Sequence, residues 1–171
     1  MKKLLKYTAI TAFLGVTIYY FYPEKKLPKG AKIDRLVVLK SERKLQAFSD
    51  VQLLKTYTIS LGRNPIGAKE FEGDKKTPEG LYTINDKNPN SGYHKNLGIS
   101  YPSLKDIEKA DKIGKPAGGD IKIHGIRNGS GFIGKFQRFF DWTAGCIALT
   151  DAEIDELYEH TPIGTPIEIK P

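Results

Sequence analysis

The chain predicts a mainly β domain with short helices, of the α+β class, behind an apolar N-terminal segment. Three observations predict it. Between residues 33 and 60, β-branched and aromatic residues recur at near-alternating positions. The helix signals further on are few and short, and an uncharged run follows lysines at the N-terminus.

Lys2, Lys3 and Lys6 precede an uncharged run from Tyr7 to Tyr22. A bilayer helix needs about 17 to 25 apolar residues, whereas a cleaved signal has an apolar core of about 7 to 15. The run sits between the two. Its end, Tyr19-Tyr20-Phe21-Tyr22-Pro23, is bulky where a signal peptidase needs small residues, which favours an uncleaved anchor over a signal peptide for residues 1–22. Residues 23–32 are polar and proline-bearing and read as a linker, and residues 33–171 form the domain. The anchor puts that domain on the outer side of the membrane.

Strands are expected at Ile33–Leu39, Lys44–Phe48 and Val51–Ser60, with turns at Ser41–Arg43 and Ser49–Asp50. Gly62–Asp74 carries three glycines and a proline and reads as a loop bordering a cleft. Leu81–Ile84 is a strand, Asn85–Gly92 a polar loop, and Ser103–Ala110 a short helix with Leu104, Ile107 and Glu108 at helical spacing. Ile121-Lys122-Ile123 alternates into His124, placing an imidazole at a strand end. Arg127 and the glycines at 129, 131 and 134 read as a flexible loop. Thr150 and Glu153 form a capping box, with Ile154 and Leu157 on one helix face, and Ile167–Ile169 closes the domain as a strand.

The formal charge of +7, from 27 Lys and Arg against 20 Asp and Glu, reads first as a solvated surface that also suits an acidic polymer. No recognition-helix pattern, zinc-finger spacing or aromatic ribonucleoprotein strand points to nucleic acid. A single cysteine forms no internal disulfide.

That cysteine, Cys146, follows Gly145 in Asp141-Trp142-Thr143-Ala144-Gly145-Cys146-Ile147. Free thiols are mostly protonated at neutral pH, and the thiolate is the nucleophile. His124, 22 positions upstream, is expected to act as its base, lowering the thiol pKa as an imidazolium or taking its proton. Gly145 allows a sharp turn that aims amide N–H groups at a developing oxyanion, and Thr143 supports the turn. Against this stands the ordinary fate of such residues, a small buried hydrophobe and a hydrogen-bonded core histidine. His94 reads as a loop residue near the cleft and His160 as an electrostatic cap on the last helix. A zinc site from His94, His124 and Cys146 lacks the close ligand spacing usual for zinc.

Ile123-His124-Gly125 followed by Thr143-Ala144-Gly145-Cys146-Ile147 resembles the signature of the YkuD-type L,D-transpeptidases. Lys76-Thr77-Pro78-Glu79-Gly80, Ile99-Ser100-Tyr101-Pro102 and Pro162–Ile167 resemble further pieces in family order. The family commonly has histidine where Ala144 stands and arginine where Ala148 stands; with Trp142 ahead of the motif and Ala148 behind it, the chain looks nearer the YafK-like branch. The resemblance implies a mixed β-sandwich or barrel catalytic domain with Cys146 as nucleophile and His124 as general acid and base. It further implies attack on meso-diaminopimelate of a peptidoglycan stem peptide and release of D-alanine. An amine from a second stem peptide or a wall-linked lipoprotein then resolves the acyl-enzyme, or water does, as in an L,D-carboxypeptidase or amidase. Gly125, Tyr101, His94 and Arg127 are the candidate substrate contacts, no metal or cofactor is needed, and the expected location is the cell envelope, either anchored to the inner membrane or secreted to the periplasm. A non-catalytic wall-binding module and a sortase-like enzyme are the rival classes. The second would need an arginine soon after the cysteine, and none follows.

Overall fold

The computed structural model describes residues 1–171, apart from the side chain of Lys2. A helix, α1 (Lys2–Phe21), stands clear of the domain for most of its length. Its stretch Lys3–Phe21 has mean hydropathy 1.3 and is long and apolar enough to cross a membrane. The domain is built on one mixed sheet of eight strands: β1 (Arg35–Leu39), β2 (Lys44–Ser49), β3 (Gln52–Thr58), β4 (Gly80–Ser91), β5 (His94–Ile99), β6 (Lys122–His124), β7 (Ile147–Ala148) and β8 (Pro166–Lys170). Their order is β3-β2-β1-β8-β4-β5-β6-β7. Pairing is antiparallel except for β1 with β8 and β6 with β7, which run parallel.

The sheet curls until its ends meet. Beyond β3 the chain continues to Ser60, which exchanges hydrogen bonds with Ala148 of β7 at 2.8 and 3.0 Å. Thr143 N–H donates to the Leu61 carbonyl at 3.1 Å, and Arg63 N–H to the Thr143 carbonyl at 3.0 Å. This seam closes a half-barrel around the core. Leu36, Val38, Leu45, Tyr57, Ile84, Leu97, Ile123, Ile147 and Ile169 lie inside it. Alternation explains why: the strand side chains that point inward are apolar and branched, while neighbours such as Leu81 face out.

Two further helices cover the edges. α2 (Leu104–Asp111) starts at a capping box in which Ser103 N–H donates to Asp106 and Asp106 N–H to the Ser103 hydroxyl. Its buried face is not the apolar one, since Leu104 and Ile107 are exposed while Asp106 and Ala110 are buried. Asp106 turns inward because its carboxylate also accepts from the Tyr82 hydroxyl at 3.1 Å. α3 (Asp151–His160) begins at Thr150, whose N–H and hydroxyl both donate to Glu153, and buries Ile154 and Leu157 against the sheet. His160 bonds the Glu156 carbonyl through Nδ1 at 2.8 Å, inside the last turn.

Two expectations need correction. Asn85–Gly92 is mostly not a loop: β4 runs on to Ser91 and pairs with β5, bulging between Ile84 and Asp86 and again past Asn88. The flexible loop after His124 ends in ordered 3₁₀ turns over Gly131–Phe139, broken at Gly134, where φ is 49°. Residues 23–32, expected as a linker, touch the domain at Leu27. Leu27 is buried, and its N–H donates to Glu156 at 2.6 Å.

Core contacts at β2 carry much of this architecture. Leu45→Ala, at a position fully shielded from solvent, is expected to cost about 2–5 kcal/mol. Leu81→Ala, 77% exposed on β4, is expected to cost no more than about 0.5 kcal/mol. Denaturant unfolding of the full chain in detergent micelles measures both.

Candidate active site

The turn before β7 is set by glycine. Gly145 has φ +136, and a Cβ there would stand 2.7 Å from the Lys76 carbonyl oxygen, so neither its conformation nor its surroundings admit a side chain. Gly62 faces it across the seam, with a hypothetical Cβ 3.0 Å from the Gly145 Cα and 2.1 Å from the Lys75 carbonyl oxygen. The buried Thr143 hydroxyl clamps the turn. It accepts from Gly145 N–H at 3.1 Å and donates to the Cys146 carbonyl at 2.7 Å. Gly145 N–H is therefore used, whereas the N–H groups of Ala144 and Cys146 have no acceptor among the described residues.

β6 and β7 run parallel with Ile123 beside Ile147 and His124 beside Ala148. Cys146 precedes that register by one residue. It falls on the same side of the ladder as His124, two positions back and one strand over, a Cα separation of roughly 8 Å from strand rise and spacing. Both side chains line one open cleft of about 890 Å³. Arg63, Lys69, Glu72, Lys75, Asn88, Tyr93, Asp120, Lys122, Arg127 and Trp142 complete much of its wall.

His124 is buried, and its Nδ1 lies 2.6 Å from the Gly125 carbonyl. A carbonyl only accepts, so Nδ1 carries the proton in the neutral ring and Nε2 keeps its lone pair. Tyr93 and Trp142 pack around the ring, with centroids 4.7 and 5.6 Å away. Burial holds the His124 pKa below the usual imidazole range, outweighing the hydrogen bond to Gly125. Burial likewise pushes the Cys146 thiol up, against the backbone N–H of Lys122, with Asp120 raising it further. Both directions favour a neutral thiol beside a neutral imidazole, the second of the two arrangements the sequence allows, in which His124 takes the thiol proton. The thiol's partner is the Asp120 carbonyl at 3.7 Å, and no hydrogen bond joins sulfur to imidazole.

The expected substrate contacts separate. Arg127 lines the cleft. Gly125 does not: it is a packing position where a Cβ would meet Asp151, His94 and Ile154 at 2.8–3.0 Å. Tyr101 is buried with its hydroxyl donating to the Ala117 carbonyl at 3.0 Å. His94, at the start of β5, pairs through Nε2 with Asp155 at 2.9 Å on α3 and lies outside the cleft lining. Sequence reasoning missed Tyr93 and gave Trp142 no role at the imidazole. Trp142 stands four residues before the cysteine, but Tyr93 is 31 residues before His124 and only the β4–β5 hairpin brings it to the imidazole. Arg63 was missed altogether. It is exposed, donates from Nε to the Trp142 carbonyl at 3.1 Å, and lines the cleft.

Known proteins agree with this architecture. The sequence model for the YkuD L,D-transpeptidase catalytic domain matches residues 33–169. YafK of Escherichia coli (strain K12) is 28% identical over 130 residues, covering 71% of this chain and 44% of that protein. The chain thus spans less than half the length of this curated relative. Among solved structures, the helical cell shape determining protein Pgp2 of Campylobacter jejuni superposes with TM-score 0.60 at 24% identity, over 82% of this chain and 48% of that one. An L,D-transpeptidase of Mycobacterium smegmatis gives TM-score 0.54 at 16% identity, over 83% and 60%. These structural likenesses establish the shared fold. With the curled mixed sheet, the glycine turn and four fifths of its length matched, the chain belongs to the YkuD family of L,D-transpeptidase catalytic domains.

Proposed function

We propose that the protein is a cysteine acyltransferase acting on peptidoglycan stem peptides, with Cys146 as nucleophile and His124 as general base and then acid. One observation carries this reading. A histidine whose tautomer is fixed with Nε2 free shares a cleft, on the same side of adjacent parallel strands, with the only thiol in the chain.

Chemistry from a neutral pair runs in a defined order. The thiol leaves the Asp120 carbonyl and passes its proton to Nε2 of His124 as sulfur attacks the acyl carbon of meso-diaminopimelate. The free N–H groups of Ala144 and Cys146 receive the oxyanion. The imidazolium then returns the proton to the departing amine of D-alanine, leaving a thioester. An incoming amine, from a second stem peptide or a lipoprotein, gives up a proton to His124 and takes the acyl group as the C–S bond breaks, and His124 returns that proton to the Cys146 sulfur; water in its place makes the reaction hydrolysis. Arg63 and Arg127 on the cleft wall suit the stem peptide's carboxylates. The family's work on the wall and the apolar α1 support a domain held outside the inner membrane by an uncleaved anchor.

Cys146→Ala should abolish turnover with the fold intact, and His124→Ala should cost nearly as much, because nucleophile and base act as one unit; steady-state rates alongside circular dichroism check both. The acid limb of the kcat/KM profile should lie below the ordinary imidazole pKa of about 6.5, since only the unprotonated ring accepts the thiol proton and burial depresses its pKa. In His124→Ala that limb should vanish, leaving a weak activity that rises as the thiol ionises in alkali. An acid limb unchanged in His124→Ala would remove the base from the mechanism. Muropeptides incubated with the full chain in detergent and analysed by mass spectrometry should yield dimers cross-linked between two diaminopimelate residues. Tripeptides without dimers would mean that water is the acceptor, and unchanged muropeptides would reject the reading.

A further inference from the structure

The last turns of α1 do not end in solvent. They pack on the 3₁₀ segment Gly131–Phe139, where Tyr19 and Tyr20 meet Phe139 and Phe136 at centroid distances of 5.6 and 5.1 Å. The Tyr20 hydroxyl donates to the Phe132 carbonyl at 2.5 Å and closes over Gly134, where a Cβ would lie 3.0 Å from the tyrosine ring. Lys135 donates to the carbonyls of Tyr19 and Tyr22 that end the helix. Glu24 then pairs with Lys135 at 3.0 Å and with Arg138 at 2.8 Å, and Arg138 reaches Glu153 on α3 at 2.7 Å. The helix end and the domain are one packed unit.

Around this joint lies an apolar surface with no protein over it. Phe132, Phe139 and Phe140 are 76, 66 and 62% exposed. Val16, Thr17, Tyr20, Phe21, Phe132 and Phe136 line a shallow groove between helix and domain. Val16 stands five residues before Phe21, about 7–8 Å back along the axis. The 3₁₀ segment therefore lies beside the helix for more than a turn below its end. At 20 residues the helix is about 30 Å long, the thickness of the hydrocarbon core, with no length to spare. Whatever touches it at Val16 and Thr17 is below the headgroups' outer edge.

We propose that residues 131–140 form a membrane-interface seat, in which Phe132, Phe139 and Phe140 lodge at the headgroup and acyl boundary of the bilayer that α1 crosses. The proposal rests on the reading of α1 as an anchor. Lipid is the occupant the geometry selects, because the patch is continuous with the membrane helix and because Lys25, Lys26 and Lys29, all exposed in the following segment, favour anionic headgroups. Aromatic rings are suited to that layer. The seat also touches the cleft: Gln137, within the segment, accepts from the Trp142 indole at 3.0 Å and, through its carbonyl, from the Ser60 hydroxyl at 2.7 Å.

The full chain, reconstituted into vesicles of phosphatidylglycerol and phosphatidylethanolamine with brominated acyl chains, tests this by tryptophan quenching. Phe132→Trp, Phe139→Trp, Phe13→Trp within α1, and Leu104→Trp, exposed on α2, are compared after subtraction of the Trp142 signal. Quenching at positions 132 and 139 within about twofold of that at 13, with none at 104, is the expected result. Quenching at 13 but not at 132 or 139 overturns the seat and leaves the anchor standing. No quenching at 13 overturns both. Unquenched 132 and 139 with concentration-dependent pairing of chains would give the patch to a second copy and also overturn the proposal.

Discussion

Two glycines in backbone contact hold the molecule's site together. Gly62 follows the end of the first meander and Gly145 precedes the last short strand, and they meet with no room for a Cβ on either. Only because they meet can Ser60 and Ala148 exchange hydrogen bonds and the eight strands close on themselves. The same contact fixes the turn from which Cys146 projects. Closure of the fold and placement of the sulfur are thus one constraint, which explains why Thr143 spends its hydroxyl on the turn rather than on the cleft.

The polar interior follows from the same geometry. Long loops between β3 and β4 must be pinned over the sheet, and lysines do it. Lys40, almost fully buried, donates to the carbonyls of Gly67 and Thr77 and to Glu79. Lys69 pairs with Asp74 at 2.7 Å, both side chains shielded. Burial alone would raise the Asp74 carboxyl, but Lys69 and three backbone N–H groups hold it below the usual range. Some of the 27 basic side chains are therefore not part of a solvated surface at all. They are internal wiring, paired and hydrogen-bonded as buried charge must be.

What the sequence disclosed and what it hid divide by range. The capping box at Thr150 and Glu153 and the alternation in β1 to β3 are local signals, and both elements form where those signals lie. The two motifs around His124 and Cys146 were legible because imidazole and thiol are rare here, with three histidines and one cysteine, and each stands beside a glycine. The far half of β4 was not, since Asp86, Lys87 and Asn88 look like loop and become strand only by pairing with β5. Nor was the apolar face of α2, where tyrosine's need for an acceptor turned Asp106 inward and Leu104 outward. The aromatic walls of the imidazole, Tyr93 and Trp142, come from segments 49 residues apart, a distance that no local pattern spans.

The ion chain from Glu24 through Arg138 to Glu153 gives proteolysis a structural meaning. A cut between Glu24 and Leu27 would do more than separate the helix from the domain. Arg138 would lose one of its two carboxylates, and Phe136 would lose its tyrosine cover. The freed fragment would carry a raw aromatic face where the parent had a joint, making it the more adhesive of the two species.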